Sequence, residues 1–271
     1  MADAPRMCLS ATMDRASVLA AFDEQIRRHP APDGSVEYDR CVIRCIGGVD
    51  GWTGVAWSDL ADADADAVIA SQVSRFAELS RPWEWKLYSY DRPSDLPERL
   101  LAAGFTREPD EGLLVAELAD LSLDVPPPPG VELHAVVDDW GINALVAVLD
   151  EVFGEDHSAL GRAVLNELRR RPNSVAAVVA VTGETPIATG RVEFHAGTEF
   201  ASLWGAGTVA AWRRRGVFRS LVAYRAAVAA ARGFRYLQVD ALPESRPILQ
   251  RLGFVELATT TPFVHAGVTS L

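Results

Sequence analysis

The sequence predicts an α/β (α+β) fold built as two tandem domains. Its 271 residues exceed the usual length of one domain. A run of four prolines and a glycine at 126–130 suits neither a helix nor a strand, because proline has no amide hydrogen to donate. On each side of this run, strand-forming stretches alternate with helical ones. We therefore expect one domain over residues 1–125, a linker over 126–130 and a second domain over 131–271.

An offset of 149 residues aligns the two halves without gaps. Under this offset, an apolar strand near 85–90 matches one near 234–239, and each is followed by a leucine-bearing helix that closes with Gly-Phe. Glycine ends a helix because it adopts the left-handed conformation at no steric cost. Asp91 coincides with Asp240, Gly104 with Gly253 and Phe105 with Phe254, and Gly48 also falls on Gly197. The match indicates an internal duplication.

In the second half, apolar periodicity predicts five strands and four helices. The turn residues Thr182, Gly183 and Glu184 predict a hairpin between the second and third strands. The strands lie near 131–137, 175–181, 186–195, 200–209 and 234–240, and the helices near 139–153, 158–171, 216–232 and 245–252.

Composition and charge narrow the class of protein. The net charge of −11 disfavours binding to nucleic acid or to an anionic membrane. The longest apolar run, residues 175–181, is far shorter than the roughly 20 residues of a membrane span, and the first residues lack the order of a secretory signal. The cysteines Cys8, Cys41 and Cys45 lack the spacing of a zinc site. We expect a cytoplasmic protein with reduced cysteines and no metal.

The segment from Thr208 to Leu221 carries the strongest chemical signal, because it leads from the end of a strand into a helix. The free amides of a first helical turn and the positive end of the helix dipole attract anions. Gly216 lets the backbone approach a phosphate closely. Between Phe200 and Val239 there is no Asp or Glu, but there are seven arginines. The segment is either a phosphate site or an exposed basic helix start.

Here the sequence resembles the GNAT superfamily of N-acetyltransferases, whose acyl-coenzyme A loop has Arg or Gln, two residues, Gly, one residue, then Gly or Ala. Arg213, Gly216 and Phe218 occupy the three defined positions, and Phe218 departs from the small residue of the family. The resemblance extends to about residue 265 and includes the late helix that ends in Gly253 and Phe254. It implies two GNAT-like domains, each a mixed, mostly antiparallel sheet flanked by helices.

The resemblance also implies a site. The strand near 200–209 would splay from the strand near 234–240 and leave a slot for the pantetheine arm of acetyl-CoA. Gly205 and Gly207 on this strand indicate a close approach of the ligand to the backbone, a bulge, or a weakened edge strand. The implied cofactor-binding residues are Gly207, Thr208 and Val209 on the strand, and Arg213, Arg214, Arg215, Gly216, Val217, Phe218 and Arg219 in the loop and helix.

Acyl transfer to an amine needs a neutral amine, donors for the oxyanion and a proton for the departing thiolate. Many relatives supply the proton from a Tyr four residues before the late glycine, where this chain has Leu249. Ser245, at the start of the same helix, is either a thiolate contact or a helix N-cap. Glu193 is the first candidate for the base, since its side chain should leave the face opposite to Val192 and Phe194.

Other residues keep both a structural and a functional interpretation. Asp240 is a helix cap or a polar group of the slot, and Trp204 and Trp212 are core residues or the floor of an acceptor pocket. His265 is equally ambiguous. The charged residues around the first helix of the second half belong to a solvated helix end or to the acceptor site: Asp150, Glu151, Asp156 and His157.

In the first half, the same offset places Asp64, Ala67 and Ile69 at the positions of the acyl-coenzyme A loop. Negative charge there would repel a diphosphate. We expect a degenerate GNAT-like domain that either acts as a scaffold or forms a wall of the substrate cleft of the second domain.

The leading interpretation is an acetyl-CoA-dependent N-acetyltransferase that acylates a primary amine of a small molecule. A non-catalytic protein that binds or senses acyl-CoA is the alternative, motivated by Leu249 at the position of the usual acid. A nucleic-acid patch at the arginines fits the net charge of −11 poorly.

Overall fold

The fold is described from a computed structural model, which covers residues 13–31, 34–48 and 51–267. Cys8 lies outside the described residues. The first half contains helices α1 (Arg15–Phe22), α2 (Ala65–Ala77) and α3 (Leu96–Ala102) and strands β1 (Ser35–Asp39), β2 (Val42–Ile46), β3 (Thr53–Ser58), β4 (Trp83–Tyr88), β5 (Thr106–Arg107) and β6 (Glu111–Glu117).

The second half agrees with the elements predicted from the sequence to within about two residues, apart from one further strand at its end. Its strands are β7 (Glu132–Ala135), β8 (Val175–Thr182), β9 (Thr185–Phe194), β10 (Phe200–Thr208), β11 (Tyr236–Ala241) and β12 (Val255–His265). Its helices are α4 (Asp139–Phe153), α5 (Ser158–Arg170), α6 (Val217–Ala231) and α7 (Arg246–Arg251). None of the helices within the described ranges has both the length and the apolar character required to cross a bilayer.

The strands form one mixed sheet that runs through both halves. Its order is β1-β2-β3-β4-β12-β6-β11-β10-β9-β8-β7, with β5 paired to β12 beside this path. Two neighbouring pairs are parallel, β3 with β4 and β10 with β11, and the others are antiparallel. The predicted mixed, mostly antiparallel sheet flanked by helices is confirmed.

The two halves exchange strands at the centre of the sheet. Strand β12 of the second half lies between β4 and β6 of the first half, and β6 lies between β12 and β11. Each of these two strands therefore has both of its neighbours along the sheet in the other half, and residues near 111–117 and 255–265 cannot be removed without breaking the sheet of the other half.

The repeated Gly-Phe motif has the same geometry in both halves. Gly104 and Gly253 have φ angles of 92° and 107°, the left-handed values expected at a helix end. The amide of Phe105 donates to the carbonyl of Leu100 at 3.1 Å, and the amide of Phe254 donates to the carbonyl of Leu249 at 3.1 Å. Both phenylalanines are buried. The duplication inferred from the sequence thus extends to the backbone hydrogen bonds.

The central strands are buried on both faces. On β6, Leu114 and Ala116 pack with α6 and α7, while Leu113 and Val115 pack against α1 on the other face. Alternate residues of a strand point to opposite faces, so β6 joins the two cores. Helix α1 of the first half thereby covers β10 of the second through Phe22, whose ring contacts that of Phe200, and Phe200 in turn stacks on Tyr236 of β11.

Arg225 is an uncompensated cation inside α6. It is fully buried, its Nε donates to the carbonyl of Leu221 at 2.9 Å, and Gly190 makes room for its guanidinium. Over the residues that the structure describes, no carboxylate forms an ion pair with it, and its Nη2 has no hydrogen-bond partner. Burial and the neighbouring Arg191 lower the pKa of the guanidinium.

We expect Arg225→Met to raise the free energy of unfolding at pH 7 by about 1–3 kcal/mol, because it removes an unpaired buried charge and keeps the volume. Chemical denaturation measures this difference. Arg251→Met, at an exposed position of α7, serves as the control and should change stability by less than about 0.5 kcal/mol. A destabilised Arg225→Met protein would show instead that the hydrogen bonds of Arg225 to the carbonyls of Leu221 and Arg191 outweigh the cost of burial.

We also expect a chain that starts at Val131 not to fold alone, because it lacks the strand between β11 and β12. Thermal melting followed by circular dichroism should show no cooperative transition for this fragment. Co-expression with residues 1–130 should restore one. A fragment that melts cooperatively at the temperature of the full chain would contradict the importance of the exchanged strands.

Candidate functional site

Strands β10 and β11 run side by side for a short distance and then separate. Their parallel register comprises three pairs, of which the last is Ser202 with Gln238. Beyond that pair, β10 remains bonded to β9 only, and β11 remains bonded to β6 only. The predicted splay is confirmed, and it leaves the inner edge of β10 without a strand partner.

A bulge marks the start of the splay. The register between β10 and β9 shifts between Trp204 and Gly207, and Gly205 has a φ angle of 53°. This positive φ angle favours glycine, and a Cβ atom at Gly205 would also displace the guanidinium of Arg191, which would lie 2.6 Å away. Of the interpretations of this glycine, the bulge is confirmed.

At the end of β10, only one of the three predicted strand residues points its backbone into the opening. The amide of Val209 donates to Ile187 at 2.9 Å, and its carbonyl accepts from Trp212 at 2.9 Å. Strand alternation gives Gly207 the same direction as Val209, toward β9. The backbones of Gly207 and Val209 are therefore directed toward β9, and their contacts with a ligand stay a prediction. The amide of Thr208 points the other way, into the splay.

The close approach that Gly207 permits is to a helix. A Cβ atom there would lie 3.2 Å from Val152 of α4. Gly207 therefore lets α4 pack against β10, and its small size serves the fold of the site.

The chain after β10 forms an exposed loop that ends at α6. The side chain of Arg213 turns back, and its Nε donates to the carbonyl of Thr208 at 3.0 Å. Arg214 has a φ angle of 61° and Gly216 one of 91°. A left-handed arginine costs about 1–2 kcal/mol, and such strain is concentrated at functional sites. Arg213, Arg214, Arg215 and Gly216 are all exposed, as a phosphate site requires.

The first turn of α6 is anchored by its side chains and presents its amides. Val217 is buried, and Phe218 packs against the core between α6 and α7. The aromatic ring at this position therefore points inward, away from the loop. Arg219 is exposed on the same turn. The linker lies beside this turn, since Ser220 Oγ donates to the carbonyl of Pro126 at 3.0 Å.

A cleft of about 440 Å³ continues from this turn between α6 and α7. Its cations are Arg219 and Arg251, and its apolar lining includes Leu121, Val222 and Leu252. The cleft is large enough for part of an elongated anionic ligand whose charged end lies at the loop.

On the opposite face of the sheet, a chain of polar side chains crosses the last paired residues. His195 Nε2 lies 2.7 Å from Ser202 Oγ, which donates to Gln238 Oε1 at 2.7 Å. Gln238 Nε2 donates to Asp240 Oδ1 at 2.9 Å. Burial lowers the pKa of His195, with Glu193 opposing that effect. Asp240 is therefore a polar residue of the slot, held by the chain of hydrogen bonds.

The first half completes this polar chain. Lys86 of β4 forms an ion pair with Asp240 at 2.7 Å, and its Nζ lies 5.8 Å from the centre of the Trp204 ring. Glu111 of β6 lies 3.9 Å from the same Nζ. Burial raises the pKa of Glu111 to about 7, with Lys86 opposing this effect and Asp240 reinforcing it.

Solved structures share this architecture. A GCN5-related N-acetyltransferase from Kribbella flavida has a TM-score of 0.67 and 20% identity, over 95% of this chain and 98% of its own. A conserved protein of unknown function from Staphylococcus epidermidis has a TM-score of 0.64 and 15% identity, over 92% and 100%. A tandem GNAT protein from the clavulanic acid biosynthesis pathway, solved without acetyl-CoA, has a TM-score of 0.60 and 13% identity, over 84% and 79%. No protein-family model and no curated protein matches the sequence.

The chain has the tandem GNAT fold. The splay, the bulge and the loop before α6 all lie in its second half. In the first half, β3 and β4 also pair only briefly, at Gly54 and Val55. There, however, Asp66 in the first turn of α2 pairs with Arg99 at 3.0 Å, and Asp64 occupies the N-cap. The first GNAT-like half thus keeps the splay and presents carboxylates where the second presents arginines.

Within the GNAT fold, the two catalytic candidates differ in their surroundings. Glu193 lies on the predicted face, opposite Ser202, and its side chain is 37% exposed. It forms an ion pair with Arg191 at 3.0 Å. Ser245 occupies the N-cap position of α7, but its Oγ donates to the carbonyl of Leu242, so it does not cap the helix through its side chain. Leu249 is buried in the core and offers no proton.

Several residues with two interpretations make contacts within the fold. His157 bonds Asp150 at the start of α5, and His265 packs against Trp83 in the first half. Trp212 lies under Arg215 in the loop. Four residues of the polar chain were not identified from the sequence, because their distance along the chain hides their proximity: Lys86, Glu111, His195 and Gln238.

We expect Glu111→Gln to raise the melting temperature increasingly with pH. The folded protein holds a proton on Glu111 up to about pH 7, whereas the unfolded chain releases it near 4.5, so Glu111 reduces stability as pH rises through that interval. Glutamine is neutral throughout. The difference in Tm between variant and wild type should grow from pH 4.5 to pH 7 and then level off.

Glu108→Gln is the control, because Glu108 is exposed near the same strand. The difference in Tm between Glu108→Gln and the wild type should not grow between pH 4.5 and pH 7. A difference for Glu111→Gln that stays constant with pH would contradict the elevated pKa.

Proposed function

We propose that this protein transfers an acetyl group from acetyl-CoA directly to a primary amine of a small molecule. The observation that carries the proposal is the splay after Ser202 and Gln238, which opens toward the left-handed Gly216 at the start of α6. An unpaired strand edge and a helix N-terminus together suit a ligand with an amide-bearing arm and a diphosphate. The tandem GNAT fold supports this assignment.

The residues fit acetyl-CoA at both ends. The amide of Thr208 faces the splay and is available to the pantetheine arm, as a strand neighbour would be. The amides of the first turn of α6 and the exposed side chains of Arg214, Arg215 and Arg219 supply positive charge for the diphosphate. The cleft between α6 and α7 accommodates a further part of the ligand.

The acceptor would approach from the opposite face, where the polar chain lies. Two carboxyl groups on this side, those of Glu111 and Glu193, favour a cationic small molecule. Glu111, whose pKa is raised by burial to about 7, suits acceptance of the proton that an ammonium group must lose before attack. The free thiols of Cys41 and Cys45 support a place in the reducing cytoplasm.

Binding is tested by thermal melting. We expect acetyl-CoA at 100 times its Kd to stabilise the wild-type protein by about 2.7 kcal/mol, seen as a rise in Tm. Gly216→Glu should abolish the rise, because it places a carboxylate where the diphosphate binds. Gly183→Glu is the matched control, since Gly183 also has a positive φ angle, 57°, and open space around it, but lies in the β8–β9 turn. It should keep the full rise. An unchanged wild-type Tm would refute the proposal.

A second candidate function is acyl-CoA binding without catalysis, and the burial of Leu249 in the core favours it. The two functions differ in whether free thiol is released. A panel of primary amines, amino acids and aminoglycosides, each incubated with acetyl-CoA and the protein, should yield thiol with at least one acceptor if the protein is an enzyme. Stabilisation by acetyl-CoA without thiol release from any acceptor would favour the binding function.

A further inference from the structure

Lys86 stands at the point where β10 and β11 separate, although it belongs to the first half. Ser202 and Gln238 are the last paired residues of the two strands. The next residues on the same face are Trp204 and Asp240, and alternation directs both toward the same space. The Lys86 Nζ lies between them, 2.7 Å from the carboxylate and 5.8 Å from the centre of the ring.

The ion pair presents its cation rather than its anion. The Lys86 side chain is 16% exposed and that of Asp240 is 4% exposed. Both oxygens of Asp240 are engaged, one by Lys86 and one by the amide of Gln238. Lys86 Nζ has three donor hydrogens, and only one is used by this bond.

The charge on Lys86 is permanent at neutral pH. Burial alone lowers the pKa of the ammonium, but Asp240, Tyr88, Glu84 and Glu111 raise it well above its ordinary value. An ammonium of this kind neither attacks a thioester nor gives up its proton to a thiolate. It acts instead as a fixed positive charge in a site that is partly shielded from water.

In the proposed function the thioester lies where β10 and β11 separate, and direct acyl transfer would develop negative charge there. The amine nitrogen forms a bond to the thioester carbon, the carbon–sulfur bond breaks, and its electron pair leaves on sulfur as a thiolate. The proton lost by nitrogen passes to a carboxylate such as Glu111 and then to solvent. Negative charge appears first on the carbonyl oxygen and then on the sulfur, and the buried Leu249 cannot offset it.

We infer that Lys86 stabilises the negative charge of acyl transfer, so that the first half supplies an essential cation to the reaction of the second. This role rests on the proposed function. The bond between Lys86 and Asp240 positions the ammonium, and the exchanged strands β6 and β12 hold β4 close enough to reach the splay.

Lys86 is the only lysine in the chain, so a lysine-specific probe reports on it alone. Protein grown with lysine carrying ¹³C at the ε carbon gives a single lysine signal by NMR. We expect acetyl-CoA to shift this signal and adenosine 3′,5′-bisphosphate, which lacks the pantetheine arm and the thioester, to leave it unchanged. If acetyl-CoA raises Tm but leaves the signal in place, the role of Lys86 is refuted while the proposed function stands. If it does neither, the proposed function itself fails.

Turnover gives the second test, with the amine that releases thiol fastest in the panel. Lys86→Met should lower kcat/KM about 100-fold and keep the rise in Tm with acetyl-CoA, whereas Lys86→Arg, which keeps the charge, should recover most of the activity. Should Lys86→Met fail to fold, the NMR measurement on the wild type decides the question.

Arg27→Met is the matched control. Arg27 is also a buried cation of the first half, paired at 2.8 Å with Asp91, the repeat equivalent of Asp240. It should lower stability and leave kcat/KM of the folded fraction unchanged. Equal losses of kcat/KM in Arg27→Met and Lys86→Met, or wild-type turnover in Lys86→Met, would overturn the inference, as would acetylation of Lys86 itself.

Discussion

The separation of β10 from β11 is the constraint on which the candidate site depends. Three paired residues hold the strands together, and a bulge at Gly205 then turns β10 away. A strand edge without a partner inside a sheet leaves amides unsatisfied, and proteins tolerate this where another group takes the place of the strand. The loop at Arg213 to Gly216 follows directly from the end of that edge. The bulge in β10 thereby sets the positions of both the open strand edge and the loop, the two ends of the candidate site.

The exchange of strands makes the first half part of this site. Strands β6 and β12 each lie between strands of the other half, so β4 is carried to within reach of β11. The ion pair of Lys86 with Asp240 spans that junction. The first half presents carboxylates at the start of α2, which disfavour a diphosphate there, and its strand β6 completes the sheet of the second half.

Local patterns in the sequence were enough to predict the helices of the second half, its strands other than β12, and the loop before α6. The apolar stripe of α6, the glycines at helix ends and the arginines before Val217 act over a few residues, and the structure has them where they were expected. Strand β12 was missed because Pro262 and a run of threonines obscure its alternation, and proline is unusual in a central strand. The backbone directions of Gly207 and Val209 could not be read from the sequence, because alternation depends on the register with β9. Lys86 and Glu111 were missed because strand exchange, which no local pattern reveals, brings them to Asp240.

The most direct test of the account is a crystal structure with acetyl-CoA bound. It should show the pantetheine arm hydrogen-bonded to the amide of Thr208 within the splay, and the diphosphate on the amides at the start of α6. Acetyl-CoA bound outside the splay of β10 and β11, or strands that close on each other when the ligand binds, would contradict it.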